Sequence, residues 1–498
     1  MTDYAGHDLL SHDNFFSVEL VSIIICQLKT GRASGLDGLT AEHILHSHPS
    51  VHLIITYLCN LMLMSGYVPP QFGLGVTFPI EKGSPGNRNL NVDDYRGITI
   101  SHLISKILEK CVLENFGKYF LTSDSQFGFK KKVGCADAIF SLRSTVDYFV
   151  NNNSTVNICS LDVGKAFDRL NHYCFFLQLM SDLVPINLIM LLYNWYRNST
   201  AVVIWKGMMS SSYSLGAGVR QGGVLSPKIF SKFVNKIIES IYDAGLGCHI
   251  GLQNMGIFMY ADDLILVAGS VTVLQAMIDL CILEFNDLDL QINSKKSVSI
   301  RIGKGHKSEC ANLSVNGLPI VWADKIVYLG VTIITSTKFC IDLKSNRAKF
   351  YRSFNSLFSK ICKANEYLIV SLVSTFCVPL VMYSLEALEL NITFLNSLDN
   401  LLINVFAKIF KTFNRDILHS CMFYLNCLPL RYVYYNRRYN FLHKLSKSDN
   451  SVLMTWSRVF GKIELAKLCS SLNVSVCSHA NIKKDIWNRF ALSLGNVI

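Results

Sequence analysis

Gly256-Ile257-Phe258-Met259-Tyr260-Ala261-Asp262-Asp263-Leu264-Ile265-Leu266-Val267-Ala268 is the stretch whose reading decides the fold. Apolar arms flank two adjacent carboxylates, which predicts a β-hairpin with the acids near its turn. Upstream, Asn157-Ile158-Cys159-Ser160-Leu161 predicts a strand that delivers Asp162 at its C-terminal end, before the chain turns towards a helix. Carboxylates between hydrophobic strands are costly unless a cation neutralises them. Magnesium takes oxygen ligands and needs only one or two carboxylates beside substrate phosphates. Two such ions ~3.5–4 Å apart can clamp the attacking and leaving oxygens of an in-line phosphoryl transfer. An isolated Asp-Asp pair would read as no more than a polar turn. Asp162, Asp262 and Asp263 together supply three carboxylates for the metal arrangement.

Between these segments lies Gly218-Val219-Arg220-Gln221-Gly222-Gly223-Val224-Leu225-Ser226-Pro227. Gly222 and Gly223 allow a backbone to approach a substrate closely. Ser226 at N-cap and Pro227 at N1 predict a helix start, continued on one apolar face through Phe230, Phe233, Ile237 and Ile241. Residues 155–333 alternate short apolar runs with amphipathic segments, an α+β pattern. Residues 1–60 predict a helical extension with an apolar stripe from Glu19 to Leu28, and helical periodicity dominates beyond about 340. Breaks are expected at Lys82–Leu90 and Gly303–Glu309.

The 498 residues are 50% hydrophobic and 17% charged with 10 prolines, which excludes disorder for most of the chain. The 16 cysteines form no C-x-x-C pair, so free thiols in a reducing compartment are expected. Cys469, Cys477 and His479 lack the fourth ligand of a closed zinc set. Tyr367 to Leu385 runs for nineteen residues without a charge; its Pro379 and four serine or threonine side chains favour a buried core helix ending near the proline over a membrane span. Residues 401–498 hold 14 Lys and Arg against 4 Asp and Glu, and the first 400 hold 33 against 32. Arg431, Arg437, Arg438, Lys444 and Lys447 alternate there with tyrosines and Phe441. That mixture suits a phosphate backbone with stacked bases and equally a solvated helical face.

In order, the segments SGLDGLTAEHI (34–44), FPIEKG (78–83), DDYRGITISHLISKILEK (93–110), SQFGFKKKVGCADAI (125–139), SLDVGKAFDRLNH (160–172), GVRQGGVLSP (218–227), YADD (260–263), INSKKS (292–297) and YLGVTI (328–333) resemble the reverse transcriptases of non-LTR (LINE-like) retrotransposons. The resemblance implies a right-hand polymerase. Its α+β fold would have fingers, a palm with an antiparallel sheet and a helical thumb, plus a helical C-terminal region. The boundaries would be 1–60 for the extension, 61–333 for fingers and palm, and 334–498 for the basic thumb and C-terminal region. Asp162, Asp262 and Asp263 would hold two Mg2+ ions, Mn2+ being an alternative, with the Val163 carbonyl as a further ligand. Phe167 would be the gate beneath the sugar of the incoming deoxynucleoside triphosphate, with Gln221 and Gly222 against the nucleotide. Lys82 and Arg96 would meet the triphosphate, and Lys296 would protonate the pyrophosphate leaving group. Gln126 and Lys130 would meet the template. Tyr328, Leu329 and Gly330 would grip the primer. Gly97 stands where the family commonly has proline, which implies a looser fingertip. Asp168 is expected to cap or anchor the ensuing helix and stands outside the catalytic set.

The implied partners are an RNA template and a DNA primer or target, with no membrane; the oligomeric state is not implied. The family's life cycle implies a cytoplasmic ribonucleoprotein and the nucleus. Full-length elements join an endonuclease upstream, and residues 1–30 are too few to hold one, so a truncated copy or fragment is one expectation. A catalytically silent nucleic-acid-binding relic is the competing reading. An RNA-templated RNA polymerase is disfavoured by Tyr260-Ala261 before the paired acids.

Overall fold

A computed structural model describes residues 16–82, 91–472 and 482–494; Cys477, His479 and most of the expected break at Lys82–Leu90 lie outside them. The chain packs as two compact units. One takes residues 1–129, 162–243 and 279–293; the other takes 130–161, 244–278 and 294–498.

In the first unit, strand Leu74–Glu81 pairs antiparallel with Tyr95–Ser101, from Gly75 opposite Ser101 to Glu81 opposite Tyr95. It pairs parallel with Thr200–Trp205 on its other edge. Gly97 lies within this regular ladder, opposite Pro79, so the segment the sequence marks as loosened is held by strand pairing. Helix Val18–Cys26 starts at Ser17, whose side chain accepts from the Leu20 amide at 3.1 Å, and it buries Val21, Ile24 and Ile25. The expected Ser-Pro helix begins one residue early: Leu225, not Ser226, is the N-cap of Ser226–Phe233. The chain then breaks at Val234 into a second helix, Asn235–Asp243. The predicted face nevertheless survives, with Phe230, Phe233, Ile237 and Ile241 all fully buried.

The second unit is built on a six-stranded sheet in the order Leu313–Val315, Leu318–Trp322, Val298–Ile302, Val156–Leu161, Asp263–Ala268, Ile257–Tyr260. Val156–Leu161 and Asp263–Ala268 pair antiparallel, Leu161 with Leu264 through Asn157 with Ala268. Ile158, Cys159, Ile265, Leu266 and Val267 are fully buried, a run of apolar residues on both faces that marks strands covered from both sides. A smaller sheet joins Lys325–Tyr328, Val331–Ile334 and Cys340–Asp342. Beyond Asp342 every described element is helical.

Tyr367 to Leu385 folds as helix Glu366–Leu372, a π-helical turn Val373–Cys377 and a short helix Val378–Val381 that contains Pro379. The wider turn accommodates the proline, which has no amide hydrogen to donate. The expectation of a fully buried helix is corrected, because Tyr367, Phe376 and Tyr383 are exposed while Ile369, Val373, Cys377 and Val381 are buried. No helix among the described residues is long and apolar enough to cross a membrane.

The basic-aromatic helix Leu430–Leu445 also departs from the nucleic-acid reading. Arg431 pairs with Asp399, Arg437 with Glu386 at 2.8 Å, and Arg438 with Glu464, while Lys444 reaches Asp137 at 3.0 Å. Tyr434, Tyr439 and Phe441 are buried. These cations balance acids within the unit, and the rings fill its core.

Candidate functional site

The acidic hairpin forms as expected. Ile257–Tyr260 and Asp263–Ala268 pair antiparallel, with Tyr260 opposite Asp263, so Ala261 and Asp262 alone make the turn. Ala261 adopts φ +58°, a left-handed conformation uncommon for a residue with a Cβ. Such local strain persists only where surrounding structure imposes it. Asp262 is half-buried and Asp263 exposed, which corrects the expectation of carboxylates buried between strands: the apolar arms are buried, and the acids stand at their end.

Tyr260, immediately before the turn, shares the Cys135 thiol with Tyr383; burial first, then the thiol contact, pushes both phenols up to about 12. Tyr328 is fully buried, and burial followed by the charge of Asp263 raises its phenol well above the ordinary value. Tyr328 pairs with Val331 across a turn in which Leu329 and Gly330 have φ +46° and +78°. Two positive φ values fit a tight hairpin turn. Gly330 adopts its positive φ without a steric cost, whereas Leu329 carries a Cβ in the left-handed region. Lys130 is half-buried, and Lys131, Lys132, Lys295 and Lys296 are exposed.

Asp162 follows Leu161, the partner of Leu264, in the chain. Its carbonyl accepts from the Asn293 amide at 2.8 Å, Val163 bridges Ile292, and the Gly164 amide donates to the Gln291 carbonyl at 3.2 Å. The segment bearing Asp162 and Val163 is thus clamped to the start of the expected Ile-Asn-Ser-Lys-Lys motif. Within the same unit, the Phe167 ring stacks on Phe230 at 4.2 Å between centroids and meets Phe129 edge-on at 6.1 Å.

The glycine loop docks on this segment. The Gly218 amide donates to the Leu170 carbonyl and the Val219 amide to the Phe167 carbonyl, both at 2.8 Å. Gln221 Nε2 donates to Asp168 Oδ1 at 2.9 Å. Asp168 is therefore an anchor for Gln221 and not the expected cap: Asn171 caps helix His172–Ser181 by accepting from Tyr173 and Cys174. Position decides this, since a capping side chain must stand directly before the helix. A Cβ on Gly222 would lie 2.3 Å from the Thr99 carbonyl oxygen, and one on Gly223 2.6 Å from Ser226 Oγ. The close approaches these glycines permit are internal ones.

Two positioning groups escaped the sequence reading. Glu109 is buried and accepts from the amides of Val224 and Leu225; burial raises its carboxyl, opposed by Arg220 and these amides. Arg220 donates to the Gly73 carbonyl and Ser199 Oγ, each at 2.7 Å. A charged pair in "EK" and "VRQ" carries no sign of burial until the loop packs on the helix. Arg96 is exposed opposite Ile80, and Lys82 Nζ donates to the Asp93 carbonyl at 2.8 Å. Lys165 pairs with Asp93 at 2.5 Å. Gln126 is fully buried, and its Oε1 accepts from the Gly128 amide at 3.0 Å; its side chain supports the loop.

A family model described as reverse transcriptase (RNA-dependent DNA polymerase) matches residues 80–333. The chain belongs to the reverse transcriptase family. The chain is 27% identical over 65% of its length to the RNA-directed DNA polymerase from mobile element jockey of Drosophila funebris, covering 36% of that protein. It is 24% identical over 61% of its length to the Pol polyprotein from retrotransposable element R2DM of Drosophila melanogaster, covering 27%, and 26% identical over 56% to that of R2 from Popillia japonica, covering 39%. These relatives are reverse transcriptases of non-LTR retrotransposons, and the chain spans roughly a third of their length. Among solved structures, Candida tropicalis telomerase in complex with a telomeric RNA fragment aligns over 82% of this chain and 68% of its own, at 13% identity and a TM-score of 0.40. Reverse transcriptases generally use divalent metal ions. No cluster of three or more His, Cys, Asp and Glu side chains that could hold a metal occurs among the described residues. Carboxylates at strand ends fit an ion that completes its shell with backbone, water and substrate oxygens.

Proposed function

We propose that this chain is an RNA-directed DNA polymerase of a non-LTR retrotransposon, extending a DNA primer on an RNA template with deoxynucleoside triphosphates. The observation that carries the proposal is the acidic two-residue turn paired, through Leu264 and Leu161, with the strand that leads into Asp162. Asp162, Asp262 and Asp263, with the Val163 carbonyl, would hold two Mg2+ ions or Mn2+. Bound there, the metal would stabilise the negative charge that develops on the phosphoryl oxygens.

The primer 3′-oxygen bonds to the α-phosphorus as the bond to pyrophosphate breaks. Lys296 supplies a proton to the departing pyrophosphate. Arg96 and Lys82 neutralise the triphosphate, the guanidinium by forked hydrogen bonds and the ammonium as a point charge. Phe167, fixed by its stack on Phe230, excludes a 2′-hydroxyl. Gln221, held by Asp168, lies against the nucleotide, with Gly222 shaping the loop. Lys130 contacts the template backbone and Gln126 keeps its loop in shape; Tyr328, Leu329 and Gly330 position the primer. In this reading fingers and palm comprise 61–333, behind an extension over 1–60, and 334–498 forms thumb and C-terminal region. The protein works in a cytoplasmic ribonucleoprotein and in the nucleus. Primer extension on an RNA template, with Asp262→Asn alongside, tests the proposal: a folded wild type that binds primer-template and never extends it would sink it.

A further inference from the structure

A cavity of about 410 Å³ in the first unit lies between the end of helix Val18–Cys26, the loop that follows, and helix Leu103–Asn115. None of the residues assigned above to nucleotide, metal or primer lines it. Lys29, Arg32, Lys106 and Lys110 do, against an apolar wall that includes Leu28, Leu39, Leu103 and Val224. Burial lowers the Lys106 and Lys110 ammonium groups; Glu109 and Asp37 oppose this at Lys106, and Lys29 adds to it at Lys110. Cations gathered at the expense of their own solvation favour an anionic occupant.

Two further features point to a phosphate. Ser101, which also lines the cavity, is 2% exposed, and its Oγ finds no hydrogen-bond partner among the described residues. A buried hydroxyl without a partner is unusual and demands a reason. Helix Leu103–Asn115 begins directly after it and receives no side-chain cap from His102, whose Nδ1 instead faces Asp37 at 2.8 Å. An uncapped helix start directs amides and the positive dipole end at an anion. The loop is already ordered, because the Gly31 amide donates to Glu42 Oε1 at 2.5 Å and the Leu39 amide to Asp37 Oδ1 at 3.1 Å.

We propose that this cavity binds a nucleoside phosphate, the phosphate at Ser101 and the helix start among the four cations, the base against the apolar wall. The shared chemistry fits a free nucleotide or the terminal nucleotide of a strand. The inference stands apart from the polymerase reading, because its test reads binding without catalysis.

The full chain, in EDTA so that metal-dependent triphosphate binding is absent, would be titrated with fluorescent ADP. Unlabelled ADP, pyrophosphate and a 5′-phosphorylated pentanucleotide would serve as competitors. Saturable binding is expected, displaced by pyrophosphate and weakened about tenfold by Arg32→Gln or Ser101→Ala, the loss of one charge-assisted or neutral hydrogen bond. Stronger competition by ADP than by the pentanucleotide assigns a free nucleotide, and the reverse assigns a strand end. Arg32 lies in an exposed loop, so its variant keeps the test valid should Ser101→Ala fail to fold. No saturable binding at millimolar ADP overturns the proposal. So does an affinity unchanged in a folded Arg32→Gln, or binding abolished by Asp262→Asn, which would return the nucleotide to the polymerase site.

Discussion

At the scale of single residues, the ring proposed as the sugar gate is held by a neighbour that its own motif does not contain. Phe167 stands on Phe230, which is fully buried, so the ring's position depends on a residue far away in sequence. Phe230→Ala is expected to raise ribonucleotide incorporation as Phe167→Ala would, and to lower stability by about 3–5 kcal/mol besides. Competition between ribo- and deoxynucleotides in primer extension, beside a denaturant titration, measures both. Discrimination unchanged in a folded Phe230→Ala would show that the stack does not position the gate. Asp262→Asn should reduce extension at least a hundredfold, on the order of the loss of transition-state charge stabilisation, with a melting temperature close to wild type because Asp262 is only half-buried. Ala261 has φ +58°, and Ala261→Gly should stabilise the chain by about 1 kcal/mol through relief of that strain. A destabilised glycine variant in thermal denaturation would contradict this.

Among elements, helix Cys135–Asn151 shows how burial changes electrostatics. Asp147 is raised to about 6 by burial, against the pull of Arg143 and with help from Glu464 and Glu389. Its carboxyl therefore holds a proton in the folded chain at pH values where the unfolded chain has released it. Stability from this group is fully present below its ordinary 3.8 and declines as pH rises to about 6. Urea midpoints across that window should fall for wild type and fall less for Asp147→Asn; parallel curves would refute the assignment. The glycine loop is a second case. Its sequence advertises flexibility for a ligand, yet Gly222 and Gly223 make room for Thr99 and Ser226. The acidic hairpin follows from alternation and apolar runs, whereas which backbone crosses a glycine depends on packing that no local pattern contains.

For the molecule as a whole, the basic C-terminal fifth proves to be internally balanced at its most basic helix. Glu464 accepts from Arg143 and from Arg438, and all three are buried. Removing one member leaves uncompensated buried charge, so Glu464→Gln should lower stability by about 3–5 kcal/mol. Chemical denaturation checks this, and a shift below 1 kcal/mol would mean that water replaces the carboxylate. The sequence by itself determined the family, the helical character beyond Asp342, and the hairpin that carries Asp262 and Asp263, because alternation, apolar runs and adjacent acids are local and survive in one dimension. Tertiary structure alone decided that Arg431, Arg437 and Arg438 face acids, that Asp168 holds Gln221, and that Glu109 lies buried beneath the loop. Ion pairing and burial depend on neighbours distant in sequence, and a charge on a helix has no partner until the chain has folded around it.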